Sequence, residues 1–152
     1  AIGGFLNFPV GEKNSIQTEL LYVQHGSKDT YNGIDYSINA NILAIPVIYN
    51  LTLSSGENSK FNLFPGIGFG FNLSTNVTAT ENGQENSVDI TDDMNSIVLF
   101  STLGISYDTK INKEMSLIFD LRANTSITNL MKSDVSSEST DLSIYFTVGL
   151  GF

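Results

Sequence analysis

The chain has 152 residues, 15% of them charged, no cysteine, and 16 acidic against 7 basic side chains for a formal net charge of −9. This excludes a disulfide framework and a thiolate metal site, and without clustered Lys and Arg it excludes nucleic acid as a partner. No apolar run reaches the roughly 18 residues of a membrane-spanning helix, while so little charge amid abundant Asn, Ser, Thr and Gly fits a barrel with a lipid-facing outside and a hydrogen-bonding inside.

Apolar segments are spread evenly from end to end, so residues 1–152 read as one domain. Period-two alternation, which gives a strand one apolar face, predicts seven strands over 2–8, 15–25, 36–53, 61–75, 97–107, 115–127 and 141–152. In the fourth, Phe61, Leu63, Pro65, Ile67, Phe69, Phe71 and Leu73 share one face, and Asn62, Phe64, Gly66, Gly68, Gly70, Asn72 and Ser74 share the other. The sixth puts Met115, Leu117, Phe119, Leu121, Ala123 and Ile127 opposite Ser116, Asp120, Arg122, Asn124 and Ser126. The last alternates Leu142, Ile144, Phe146, Val148, Leu150 and Phe152 with Asp141, Ser143, Tyr145, Thr147, Gly149 and Gly151. Most of these runs reach the 9 to 11 residues that cross a bilayer at a tilt. The expected fold is therefore an all-β, antiparallel, up-and-down transmembrane barrel whose membrane-facing belt comprises Phe61, Leu63, Ile67, Phe69, Phe71, Leu117, Phe119, Leu121, Ile144, Phe146, Val148 and Leu150.

Connections alternate between short (11–14, 54–58, 110–113) and long (26–35, 76–95, 129–140). In outer-membrane barrels short turns face the periplasm and long loops face outside. The long ones carry Asp29, Asp35, Glu81, Glu85, Asp89, Asp92, Asp93, Asp134 and Glu138, so most negative charge projects outward. A chain with both ends on the periplasmic side needs an even strand count, and seven would leave two edges unpaired in hydrocarbon, which is costly. An eight-stranded barrel is expected, its first strand preceding Ala1 or replaced by a partner chain. No secretory leader is present, so an exported protein is expected to be a mature form or a fragment.

Small barrels fill their interior with side chains. A lumen Arg cannot shed its proton and requires carboxylate or carbonyl partners, which predicts a polar network of Arg122 with Asp120 and Glu19, joined on the polar faces by Gln17 and Asn124. Its reading is a structural bridge that fills the lumen and pins register, ahead of an ion gate or plug. The Gly66, Gly68 and Gly70 row leaves room for larger groups, with Phe64, Tyr49 and Tyr145 as candidates. His25 and Ser27 would point the same way if their strand continued that far, an arrangement of base and nucleophile known from outer-membrane lipid-modifying hydrolases; polar surface is the preferred reading, and no enzyme activity is expected. Asp89, Asp92 and Asp93 lack calcium-loop spacing and read as solvated charge, so neither metal nor cofactor is expected.

The segments Gly3-Gly4-Phe5, 17–26 (QTELLYVQHG), 43–49 (LAIPVIY), 65–70 (PGIGFG) and the closing Gly149-Leu150-Gly151-Phe152 resemble the PorT-like outer-membrane β-barrel family of Bacteroidetes-type bacteria. The resemblance covers nearly the whole chain, and in that family a Gly-rich strand precedes the region of Ala1. It implies a bacterial outer-membrane location. The family's best-known relative takes part in protein secretion and gliding-associated export. Phe152, with Leu150 and Val148 on its face, resembles the C-terminal signal read by the barrel-assembly machinery, although Thr147 stands where that signal often has Gly.

These readings converge on an integral outer-membrane barrel with a side-chain-filled lumen, serving as a structural, surface-interaction or secretion-associated envelope component. Its expected partners are outer-membrane lipids, the assembly machinery, and other envelope or secretion proteins that meet the acidic loops. The alternative is a soluble, lipocalin-like barrel that binds a small hydrophobic ligand, in which the Phe-rich rows would turn inward.

Overall fold

The computed structural model describes residues 1–31, 33–81, 83–130 and 142–152. Its strands are β1 (Ile2–Pro9), β2 (Asn14–Tyr31), β3 (Ile34–Ser55), β4 (Ser59–Glu81), β5 (Gln84–Asp89), β6 (Ile97–Lys110), β7 (Ser116–Ser126) and β8 (Leu142–Gly151), with a 3-10 turn at Thr91–Asp93. The wall runs β1-β2-β3-β4-β6-β7-β8, each neighbour antiparallel, while β5 pairs only with the outer part of β4.

Alternation in the sequence becomes inside and outside in the wall. The apolar rows face out: Phe69 is 51% exposed and Ile144 71%. Leu63, Phe71, Leu117 and Phe119 lie on the same side, half-buried among their neighbours. Inside, the buried polar residues Glu19, Asn62, Thr75, Thr102, Ser106, Asp120, Arg122 and Ser143 outnumber the buried apolar ones Val23, Ala44, Ile48, Phe64 and Phe100. That inverts the arrangement of a soluble domain. The rows that a lipocalin-like barrel would have to turn inward are the ones this fold turns out.

Ring-on-glycine packing shapes the lumen. A β-carbon on Gly68 would stand 2.8 Å from Pro46 Cα and 2.9 Å from the Phe100 ring, and one on Gly104 would run into the Phe64 ring. Glycine here lets an aromatic ring lie flat against the neighbouring strand. Tyr49 is not among the rings so received. It pairs with Ile16 on the outer face and is 38% exposed, because its odd position on β3 alternates with the inward Ala44, Pro46 and Ile48.

Two further differences from the sequence reading have local causes. The connections 26–35 and 76–95 are mostly hairpins: β2 pairs with β3 out to Tyr31 and Ile34, and β4 pairs with β5 out to Glu81 and Gln84. Gly33 and Gly83 take φ of +79° at their tips, and each follows an Asn in the sequence. Asn-Gly is the strongest short-range signal for a tight hairpin. Second, a bulge leaves Leu73 unpaired between the Asn41–Ser74 and Ile42–Asn72 pairs, so inward parity passes from Asn72 to Thr75 and Ser74 turns outward. There its hydroxyl accepts from Asn41 Nδ2 at 2.8 Å, and Asn41 Oδ1 accepts from Tyr22 OH at 2.8 Å. The predicted connection 129–140 and the first residue of the last predicted strand lie largely outside the described residues, with Asp134, Glu138 and Asp141 among them.

The sheet is not closed: β1 bonds only to β2, and β8 only to β7. Curvature nevertheless brings the two edges within reach of one aromatic side chain, since β-carbons on Gly149 and Gly151 would meet the Phe5 ring of β1 at 4.0 and 3.9 Å. Both edge strands run from the long-hairpin end to the short-turn end.

Gly68→Val should destabilise the barrel by about 1–3 kcal/mol, because Pro46 Cα is backbone and cannot yield. Gly4→Val, where nothing stands within 4 Å of the new β-carbon, should lie within about 0.5 kcal/mol of wild type. Urea unfolding in phospholipid vesicles measures both.

Candidate functional site: a layered lumen

Strand parity aims Glu19 of β2 and Asp120 and Arg122 of β7 into the lumen from opposite walls, and there they meet. Arg122 Nη1 and Nη2 donate to Glu19 Oε2 and Oε1 at 2.7 and 3.1 Å, and Nε donates to Asp120 Oδ1 at 3.1 Å. Arg122 Nη2 also donates to Asp120 Oδ2. The planar guanidinium fork thus serves two carboxylates at once, a geometry that an ammonium cannot reproduce. All three side chains are more than nine-tenths buried, and the guanidinium carbon sits 5.2 Å from the centre of the Phe64 ring, within cation–π range.

The network extends toward the short-turn end. Gln17 Nε2 donates to Glu19 Oε1 at 2.6 Å, and Asn50 Nδ2 donates to Gln17 Oε1 at 3.2 Å. A second ladder runs beside it: Thr52 Oγ1 donates to Asn62 Oδ1 at 2.8 Å, Asn62 Nδ2 to Ser106 Oγ at 2.9 Å, and Ser106 Oγ to Asp108 Oδ1 at 3.1 Å. The sequence reading missed this ladder, although Asn62, Ser106 and Asp108 all occupy inward parity positions. Asn124 also faces the lumen but takes no part in the Arg122 cluster; its Oδ1 is buried without a partner, because it stands one inward step beyond Arg122 on β7.

Two cavities flank the cluster and share no lining residue. One of about 80 Å³ lies toward the short turns, among Asn7, Gln17, Asn50, Lys60 and Asp108. The other, about 350 Å³, lies toward the long hairpins above the buried Val23, Ala44 and Phe100. His25 and Ser27 both border this larger space, since β2 continues past them. No carboxylate stands among its described lining residues.

The acidic turn after β5 organises itself. Asp89 Oδ1 accepts from the Thr91 amide at 2.9 Å and the Thr91 hydroxyl at 2.5 Å, and these bonds hold its carboxyl below the ordinary aspartate range. Thr91 Oγ1 in turn accepts from the Thr75 amide at 2.8 Å, tying the turn to β4. Among the described residues, no group of three His, Asp or Glu side chains is placed to hold a metal ion.

The family model described as outer membrane protein beta-barrel domain matches residues 1–132. No curated protein matches the chain, and no solved structure does.

Replacing Arg122 with Met should cost about 3–5 kcal/mol of unfolding free energy, because Glu19 and Asp120 would remain as uncompensated buried charges. Combining it with Glu19→Gln and Asp120→Asn should recover most of that loss. Urea titrations of the single and triple variants in the same vesicles test the assignment, and equal losses in both would contradict it.

Proposed function

The chain belongs to the outer membrane protein β-barrel domain family and is an integral barrel of the bacterial outer membrane; from that premise we propose that it is a non-conducting, non-enzymatic component of the envelope that presents acidic hairpins at the cell surface. The observation that carries this reading is the Arg122 cluster, which joins β2 to β7 across the lumen and separates the two cavities. An ion crossing the lumen would have to displace a buried guanidinium held by two carboxylates. The cluster's work is to fill the interior and fix register, in keeping with the packed lumens of small barrels.

Charge asymmetry supports a surface role. Asp29, Asp35, Glu81, Glu85, Asp89, Asp92 and Asp93 gather at the long-hairpin end, where Lys28 is the only Lys or Arg among the described residues; Lys13, Lys60, Lys110 and Lys113 gather at the other end. A negative rim of this kind favours a partner with a basic face and repels anions. The PorT-like resemblance adds secretion-associated export as the setting for such a partner. The outward rows from Phe61, Leu63, Ile67, Phe69 and Phe71 through Leu117, Phe119 and Leu121 to Ile144, Phe146, Val148 and Leu150 make the lipid contact.

In this reading one antiparallel strand completes the wall between β1 and β8. Because these two edges run in the same direction, a strand seated between them pairs antiparallel with both and gives a ring of eight. Phe152 extends the outward row of β8 and is 93% exposed, so its ring is available to the barrel-assembly machinery.

Purified protein reconstituted in planar bilayers should remain electrically silent, whereas stable conductance steps from wild type would overturn the closed-lumen reading. Phe152→Ala should lower the assembled outer-membrane fraction in cells several-fold while leaving the stability of refolded protein within about 0.5 kcal/mol. A parallel loss of refolded stability would make Phe152 a packing residue and not a signal.

A further inference from the structure

The larger cavity is built for something other than water. Its volume of about 350 Å³ falls at the lower end of the roughly 300–1,000 Å³ of small-molecule sites. Its floor is the buried cluster of Val23, Ala44 and Phe100, with Leu21, Ile42 and Tyr145 packed against it. Waters settle stably where each finds two to four polar partners, and an aliphatic and aromatic floor supplies none. Such a surface releases free energy when an apolar group covers it.

Two polar atoms at this cavity have no partner: the Asn72 Nδ2 donor and the Asn124 Oδ1 acceptor, both buried. Their orphan state is informative, since buried polar groups in folded proteins are almost always bonded. The Asn72 amide is oriented by its own contact, because its Oδ1 accepts from Thr75 Oγ1 at 3.0 Å and this directs the NH2 elsewhere. Asn72 lies level with Ser96, immediately before β6, whereas Asn124 pairs with Thr102 six residues farther along the chain, so one small polar group reaches only one of them; Asn72, which pairs with Ile42, is the one beside the apolar floor. No Asp, Glu, Lys or Arg stands among the described lining residues, so a charged guest would find no counter-ion there, and the acidic rim above disfavours anions.

We propose that the outer half of the lumen is a binding site for a compact, uncharged amphiphile: an aromatic or short aliphatic body resting on Val23, Ala44 and Phe100, with a carboxamide- or hydroxyl-type group whose oxygen accepts from Asn72 Nδ2. The Arg122 cluster closes the site below, and the site's other side faces the long-hairpin end. Guests therefore enter and leave from the cell exterior. The barrel is a receptor cup at the surface, which is a different property from its electrical silence in bilayers.

Benzamide, an apolar ring bearing both an acceptor and a donor, is the probe, and toluene is its control without polar atoms. The full-length protein in lipid nanodiscs, carrying 13C-labelled Ala, Val and Ile methyl groups, is titrated with each. Benzamide should produce saturable shifts at Val23, Ala44 and Ile42 and none at the outward Ile144 and Val148. Asn72→Leu should weaken benzamide about tenfold while leaving toluene within about twofold, since only benzamide loses a hydrogen bond. Ala44→Phe, confirmed as folded by its heat-dependent gel mobility, should abolish saturable binding of both. Non-saturating shifts shared equally by inward and outward methyls would mean partition into lipid and would overturn the proposal. So would benzamide binding that Asn72→Leu leaves unchanged. The Asn72 variant decides the matter even if the Ala44 variant does not fold, and neither outcome depends on the bilayer recordings.

Discussion

Within hydrocarbon no water is available to bond a stray N–H or C=O, so each backbone group must find its partner in the next strand. The long antiparallel ladders from β1 through β4 and on from β6 to β8 meet that requirement across the interior of the wall, and most other features follow from it. Once the backbone is committed to ladders, side chains can only alternate between lipid and lumen. The outer positions become apolar because they have no other solvent. The inner positions become the sole place where a polar group can be buried with company.

That division explains why Arg122 occupies the middle of the lumen. A guanidinium desolvated to this degree is tolerable only with its donors occupied, and Glu19 and Asp120 occupy most of them. The arrangement is weak evidence of net stabilisation over an apolar filling but strong evidence of specificity. Sliding β7 by one residue against its neighbours would send Arg122 and Asp120 into lipid. The short-turn half of the lumen is filled by polar ladders in the same spirit, whereas the outer half changes character above Phe100 and becomes a chamber with an apolar floor and Asn, Ser and Thr side chains on its walls.

Much of this was legible in the chain. Period two in 61–73 and 142–152 is unbroken, and it alone placed Phe69, Ile144 and their neighbours on the outside. The meeting of Arg122 with Glu19 could be read because both lie at inward parity and an arginine in a lumen has few tolerable states. Thr75 and Ser74 could not be read, since a single unpaired Leu73 reverses parity and bulges are set by cross-strand register, which local pattern does not encode. Tyr49 was misplaced through size matching, when its parity already pointed outward. The hairpin tips carried a legible sign in their Asn-Gly pairs, but charge and polarity there suggested loops. Asn124 shares parity with Arg122 and yet belongs to the other compartment, because it stands one inward step farther along β7, past the level at which Glu19 meets Arg122.

The projecting hairpins have a consequence for range. From Leu73, near the top of the apolar rows, β4 continues to Glu81 before its turn, and at about 3.3 Å per residue its tip stands up to about 26 Å farther along the strand. Screening in physiological salt attenuates fields over about 8 Å. Glu81 and Glu85 therefore act beyond the electrostatic reach of the lipid headgroups, and what they meet first is the medium and the surfaces of other molecules. The barrel holds two charge environments on one rigid sheet: one governed by the leaflet in which it sits, the other by whatever approaches from outside.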